Sequence, residues 1–330
     1  MASLAAKLSA VFSLAYLFLP TSPHAASVEQ MQFLMGTTAR VRVWAPDSSS
    51  CHLAIDSVFA AFHQVDRDMS TYKPDSHISH LNRDGHTDWV DLSPSLVHVL
   101  DTASDYHVAT QGAFDPTVLP LMRLWGFRGG TPAIPSTAMI DSTLEVVGYE
   151  QVEIDRSGSR GRFKRPRPQL DLGGIAKGYA LDAGKAAALK FGATAGWFDL
   201  GGNVISFGAE AEGHVGIQDP HTGSGIVGRV WLAGGSIATS GGYERFVEIE
   251  GRRFGHVIDP RNGQPVDHTL SATVVMPDGI QADAFSTACF VLRLDACREL
   301  VEDHGGGAVL VTIESDSMVI DVVGDVSLIR

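Results

Sequence analysis

Between Leu170 and Asp182 the chain reads LDLGGIAKGYALD, with three glycines set among small and isolated polar residues. Four later segments carry matching punctuation: Asp199-Leu-Gly-Gly-Asn203, Ala238-Thr-Ser-Gly-Gly-Tyr243, His256-Val-Ile-Asp-Pro260 and Ala282-Asp-Ala-Phe-Ser-Thr-Ala288. Small residues beside one or two polar groups are what a backbone needs where it closes on a phosphate or a cation, since glycine has no Cβ to clash. Each segment alone is a weak signal. They matter as a set.

The periodicity around them mixes two kinds of element. A strand is expected within 33–44, around Val41, Val43 and Trp44. Residues 53–69 place Ile55, Val58, Phe59, Phe62, Val65 and Met69 at helical spacing. Ser93-Pro94 is an N-cap followed by proline at the first helical position, opening a helix that runs to about Thr110 before Gly112. Another helix is expected from Ile175 to Phe191, stopped by Gly192. Beyond residue 196 short strands dominate: Val204–Phe207, Val215–Gln218, Val227–Leu232 and Tyr243–Glu250, the last entering a Glu250-Gly251 turn. Helices follow at Ala282–Leu294 and Asp295–Asp303. A hairpin of Val309–Ile313 and Met318–Val323 around Ser315-Asp316 closes the chain. The basic stretch Arg156 to Arg167 reads as an exposed hairpin or loop. Without a regular βαβ alternation, the pattern predicts one compact α+β domain of mixed, largely antiparallel sheet with flanking helices.

The first residues read as an address. Lys7 precedes the uncharged apolar run Leu8 to Leu19, Pro20 breaks it, and Ala25, Ala26 and Ser27 are small. The run is shorter than the roughly 20 residues of a membrane span, so residues 1–27 are expected to be a secretory signal and 28–330 the mature domain. A periplasmic location follows, with no stable membrane insertion after cleavage. Removing Lys7 and no acid would take the formal charge from −13 to −14. Such a balance argues against nucleic acid as a partner, because phosphate backbones call for a basic footprint. Of the cysteines, Cys289 and Cys297 lie eight apart in one expected helical stretch, roughly 12 Å by helical rise, so they are expected not to bridge. With Cys51 they read as buried small hydrophobes.

Several familiar motifs are absent. Gly173-Gly-Ile-Ala-Lys-Gly178 has neither the G-x-G-x-x-G order nor the lysine-hydroxyl ending of a phosphate loop. Ala238-Thr-Ser-Gly-Gly242 departs from the G-x-S-x-G nucleophile elbow at its first residue. What remains is a looser constellation. Asp283 and Thr287 share a helix face one turn apart and offer hard oxygens suited to Mg²⁺; the plain alternative is a helix cap and a hydroxyl bonded back to a carbonyl. Asp171 to Gly178 bends into a helix start, where N–H groups favour anions and the Gly174 carbonyl is uncrowded. Tyr72 and Phe114 are aromatics that could stack on a flat ring. His256 stands out among the histidines as a group that could exchange protons near neutral pH.

Taken in order, these segments resemble the ApbE family of flavin transferases. The resemblance runs through Met35-Gly-Thr37, Ser70-Thr-Tyr72 with Pro74-Asp-Ser76, Gly112-Ala-Phe-Asp-Pro-Thr117 and Leu124-Trp-Gly-Phe127. It continues through Asp171 to Gly178, Gly201-Gly202, Thr239-Ser240, His256 to Pro260, and Ala282-Asp-Ala284 with Thr287. It implies a T-fold-like domain that binds FAD as substrate. The isoalloxazine would lie near Met35, Tyr72 and Phe114, with the polar parts toward Ala113, Asp115, Asp171 and Lys177, and with Ile258 over the adenosine or pyrophosphate end. It also implies Mg²⁺ on Asp283, Thr287 and the main-chain oxygen of Gly174, and a catalytic role for His256. Gly241-Gly242 departs from the family, many of whose members have a polar residue before the tyrosine.

The reaction so implied is transfer of FMN from FAD to a threonine hydroxyl of a partner protein, a periplasm-facing redox subunit, with release of AMP. The hydroxyl needs a base, for which His256 and Asp283 are the candidates. Two alternatives use the same parts: Mg²⁺-dependent hydrolysis of FAD to FMN and AMP, and flavin carriage without catalysis.

Overall fold

The structure, a computed structural model, describes residues 25–330 apart from 243–245 and 316, together with the side chain at 314. Residues 1–24 of the expected leader, Tyr243 and Asp316 therefore lie outside the described residues, as does the side chain of Glu314.

Eight strands form the main sheet: β1 (Ala26–Leu34), β2 (Thr37–Ala45), β3 (Ala195–Leu200), β4 (Asn203–Phe207), β5 (Gly235–Gly241), β6 (Thr269–Met276), β7 (Gly307–Glu314) and β8 (Ser317–Gly324). Each pairs antiparallel with the next in chain order. The sheet is thus a meander, and the other elements are inserted between neighbouring strands, except for a short C-terminal strand, Leu328–Ile329, that follows β8. The β1–β2 link is the two-residue turn Met35-Gly36, both with φ in the left-handed region at 52° and 75°. That is the pairing of a tight hairpin whose twist suits its strands. The single strand expected across 33–44 is therefore the second arm of a hairpin.

The longest insertion, between β2 and β3, carries its three longest helices, α1 (Ser48–Met69), α2 (Pro94–Ala109) and α3 (Ala176–Lys190), with shorter ones at His77–Asp84, Leu119–Leu124 and Thr137–Leu144. Ser93 caps α2 as expected, accepting from Leu96 N. The insertion after β6 holds α4 (Gly279–Val291) and α5 (Leu294–Asp303). On one sheet face α3 packs between α1 and α4. Strand alternation sorts residues to the two faces: Ile205, Ala238 and Leu310 join the helix-side core, whereas Val204, Ile237 and Val309 face a second cluster with Ile217, Val230 and Leu232. That second cluster is closed by a three-stranded sheet of residues 213–218, 226–232 and 328–329. The basic stretch near 160 is a hairpin, as expected, with strands Val152–Asp155 and Arg160–Phe163.

The cysteine expectation is corrected. Cys289 and Cys297 form a disulfide, with Cα atoms 4.9 Å apart. The error was the assumption of one continuous helix. Leu292 and Arg293 are extended, ψ 161° and 165°, so the chain turns between α4 and α5 and brings the two residues back together. Cys51 stays a buried free thiol. Closing so short a loop should stabilise the fold by roughly 2–3 kcal/mol. Thiol titration of the unfolded, unreduced protein should find one reactive cysteine, and the double variant Cys289→Ala/Cys297→Ala should unfold at lower urea by about that amount. Three free thiols would refute the pairing.

Candidate functional site

The site is organised by two helix N-termini that cap one another. The first N–H groups of any helix lack partners within it. At the start of α4 the Asp278 side chain makes no capping bond. Asp182, two turns into α3, accepts instead from Gly279 N at 2.8 Å and Ile280 N at 2.7 Å. In return Asp283 of α4 accepts from Gly178 N, in the first turn of α3, at 2.9 Å. The exchange requires close backbones: a Cβ placed on Gly178 would lie 2.1 Å from the Gly279 carbonyl oxygen. Burial pushes the Asp182 carboxyl up to about 6, against the lowering by its two N–H donors.

Asp283 is itself buried, 4% exposed. Its Oδ2 holds Gly178, leaving Oδ1 with no hydrogen-bond donor among the described residues. Thr287, one turn on, lies 3.5 Å from the Asp283 carbonyl oxygen and 3.3 Å from Ser240 Oγ, which also meets Ser286 Oγ at 2.9 Å. A Cβ on Gly174 would stand 2.8 Å from Thr287 Oγ1 and 3.5 Å from the Phe114 ring. So Gly174 meets Asp283 and Thr287 at one place, although it is far from both in sequence. The plain capping alternative holds in part: Asp283 is a cap, but of the neighbouring helix. Among the described residues no three His, Cys, Asp or Glu side chains converge as a metal cage. A cation here would rest on one carboxylate and neutral oxygens, a hard set that fits Mg²⁺, which keeps several of its positions for water and substrate.

Next to this lies an aromatic and anionic corner. The Arg128 guanidinium sits 4.2 Å from the centre of the Tyr72 ring and pairs with the buried Asp171. Asp171 Oδ1 accepts from Gly173 N at 2.8 Å, and Asp171 N donates to Pro116 O at 2.8 Å, tying the glycine bend to the Ala113–Thr117 segment. Tyr72 is 70% exposed, whereas Ala113 and Phe114 are buried, so Tyr72 presents the open ring face and Phe114 forms a wall behind Gly174. Met35, at the hairpin tip, packs at the edge of the same core.

Asp115 faces inward. Its Oδ1 accepts from Thr117 N and Thr117 Oγ1 at 2.8 and 2.7 Å, and its Oδ2 lies 3.2 Å from His107 Nδ1. That carboxylate raises the His107 pKa, outweighing the opposite effect of burial. Lys177 Nζ reaches Asn203 Oδ1 at 3.4 Å, while Asn203 Nδ2 is buried with no partner among the described residues. The Ile258 side chain is buried with Leu121, Trp125, Ile140 and Ile249. His256 follows Gly255, whose Cα-side face meets the backbone of Gly242, two residues past Ser240. The residue before His256 thus packs just beyond the strand that carries Ser240.

Sequence reasoning missed Arg128, one residue beyond the quoted Leu124–Phe127 segment, and gave no role to Asp182. Neither has a signal in local spacing, because the partners of both lie on other elements.

A carboxylate and a hydroxyl on one helix thus face a glycine bend with an exposed aromatic beside it, on an α+β fold. The ApbE family model matches residues 35–311. The FAD:protein FMN transferase of Escherichia coli K12 is 30% identical over 308 residues, covering 90% of this chain and 88% of that protein. The crystal structure of the ApbE protein from Thermotoga maritima superposes with TM-score 0.81 at 30% identity, covering 90% of this chain and 97% of that one. The apo flavinyl transferase ApbE of Pseudomonas stutzeri gives 0.79 at 27%, covering 91% and 95%. The chain belongs to the ApbE family.

Two outcomes test the packing. Gly178→Ala should lower stability by about 1–3 kcal/mol, read from urea midpoints, because two helix backbones must separate; an unchanged midpoint would contradict the contact. His107, with its pKa raised in the folded state, contributes stability that is full below about pH 6.5 and fades as pH rises through the folded-state pKa. The stability gap between the wild type and His107→Asn should therefore be larger near about pH 5.5 than near about pH 8.5.

Proposed function

We propose that this protein is an FAD:protein FMN transferase that moves FMN from FAD to a threonine hydroxyl of a partner protein and releases AMP. The observation that carries the reading is the meeting of Asp283, with one free carboxylate oxygen, the Thr287 hydroxyl and the Gly174 bend. The names of the relatives support the flavin and the protein acceptor.

Asp283, Thr287 and the Gly174 carbonyl would hold Mg²⁺, which when bound offsets the charge of a pyrophosphate and so eases attack on phosphorus. The remaining work falls to the chain. Tyr72, stiffened by Arg128, offers a ring face to the isoalloxazine, backed by Met35 and by Phe114 with Ala113. Asp171 and Asp115 fix the backbone on which that pocket stands. Lys177 and the open Asn203 amide supply donors for anionic oxygens. Ile258 anchors the strand that closes over the far end of the dinucleotide. The acceptor oxygen forms a new bond to the phosphorus on the FMN side, and the bond to AMP breaks. His256 takes the hydroxyl proton. Asp283 is the poorer base, because Oδ2 already accepts an N–H.

The expected site of action is the periplasm, with residues 1–27 as the export signal. The Cys289–Cys297 disulfide supports that setting, since such bonds persist in oxidising compartments.

Incubation with FAD, Mg²⁺ and threonine-bearing acceptor proteins should add one FMN to the acceptor by mass spectrometry. Asp283→Asn keeps an acceptor for Gly178 N but removes the charge. It should cut transfer on the order of a hundredfold while leaving the fold intact by circular dichroism. AMP and FMN released with no acceptor labelled would make the enzyme a hydrolase instead, and full transfer by Asp283→Asn would remove the metal assignment.

A further inference from the structure

We propose that an arginine-lined cleft beside the site is the docking groove for an acidic segment of the acceptor protein, a reading that rests on the transferase function above. The cleft, of about 1240 Å³, lies between the hairpin of residues 246–255, the loop near 220 and the α4–α5 junction. None of the residues assigned above to FAD or Mg²⁺ lines it. Its volume exceeds the usual range for small-molecule pockets, which suits a polypeptide.

Charge sets the occupant. Arg252, Arg253, Arg261 and Arg293 line the cleft. Arg261 is already held by Asp259, with contacts of 2.8 Å from Nε and Nη2. Arg252, Arg253 and Arg293 are exposed and have no carboxylate within salt-bridge reach among the described residues. Arg252 lies 5.2 Å from the Phe254 ring centre and Arg253 lies 4.6 Å from that of Phe246. An aromatic face orients a guanidinium without using its N–H donors. The other lining carboxylate is Asp267; Glu248 and Glu250 belong to the same hairpin but do not line the cleft. Four arginines against the two carboxylates Asp259 and Asp267 leave the lining of this concavity net positive, against a formal net charge of −13 for the chain. Guanidinium donors recognise carboxylates in pairs, and such a patch also steers an acidic partner inward.

Position sets the partner. Val291, in the cleft wall, is one turn beyond Thr287 on the same helix face. Gly242, also in the wall, is two residues past Ser240, whose hydroxyl touches that of Thr287; Gly255 precedes His256. A chain bound by the arginines would therefore deliver a hydroxyl at its end of the groove to the reaction centre. A concave site favours a peptide over the flat surface of an anionic membrane.

The test separates docking from catalysis. Fluorescein-labelled peptides with one central threonine, flanked by aspartates or by lysines at the same positions, are titrated with the full-length protein by anisotropy. The acidic peptide should bind, more weakly as salt rises. Arg252→Glu/Arg253→Glu/Arg293→Glu should weaken that binding by about tenfold or more, with FAD affinity from flavin fluorescence unchanged. The milder Arg→Gln set gives the same reading, in smaller steps, should charge reversal disturb folding. Equal binding of both peptides, unchanged binding by the variants, or arginine-dependent binding to phosphatidylglycerol vesicles in place of the peptide would overturn the groove assignment. Because binding is read without turnover, a wild type that docks the acidic peptide yet transfers no FMN would count against the transferase reading alone.

Discussion

Two helices that each lend a carboxylate to the other's N-terminus hold this molecule's chemistry together. A helix start leaves N–H groups without partners and carries partial positive charge. Here Asp182 answers for α4 and Asp283 for α3, across a contact so close that only glycines at 178 and 279 permit it. Moving either helix would uncap both ends at once. The same bond orients Asp283: one oxygen accepts from Gly178 N, and the other has no hydrogen-bond donor among the described residues. Thr287 and Gly174 then follow from helix pitch and from the bend that leads into α3.

The meander explains why such distant segments can meet. Strands paired in chain order form a rigid platform, and its two large insertions, between β2 and β3 and between β6 and β7, return helices to the same face. α3 and α4 are thereby neighbours although about a hundred residues apart in sequence, a separation the close-packed core can hold without slack. The disulfide at the end of α4 fixes where that helix stops and where the wall of the neighbouring cleft begins.

Much of the fold was legible because local rules were obeyed locally. The apolar spacing of Ile55 to Met69 matches the buried stripe of α1, and Ser93-Pro94 caps α2 as its residue types require. The Glu250-Gly251 turn closes a hairpin, again by short-range preference. Local reasoning failed where a local break redirected the chain. Two extended residues, Leu292 and Arg293, interrupt an otherwise helical pattern and bring Cys289 to Cys297, so a distance computed along one helix was meaningless. Arg128 was invisible for a related reason: its role depends on Tyr72 and Asp171, neither near it in sequence.

By itself the sequence determined the longest helices, several of the strands, and which short glycine-bearing segments carry polar groups, because dihedral preference and hydrophobic period act over a few neighbours. Its ordered motifs also identified the family. Only the tertiary structure decided that Asp283 caps a neighbouring helix, that Asp115 faces His107 and Thr117, that Ile258 is buried against Trp125, and that three arginines with no carboxylate in salt-bridge reach among the described residues share a cleft. Those facts concern which group stands opposite which across the core. Hydrogen bonds and ion pairs act over a few ångströms of space, and no spacing along a chain measures that distance until the chain is packed.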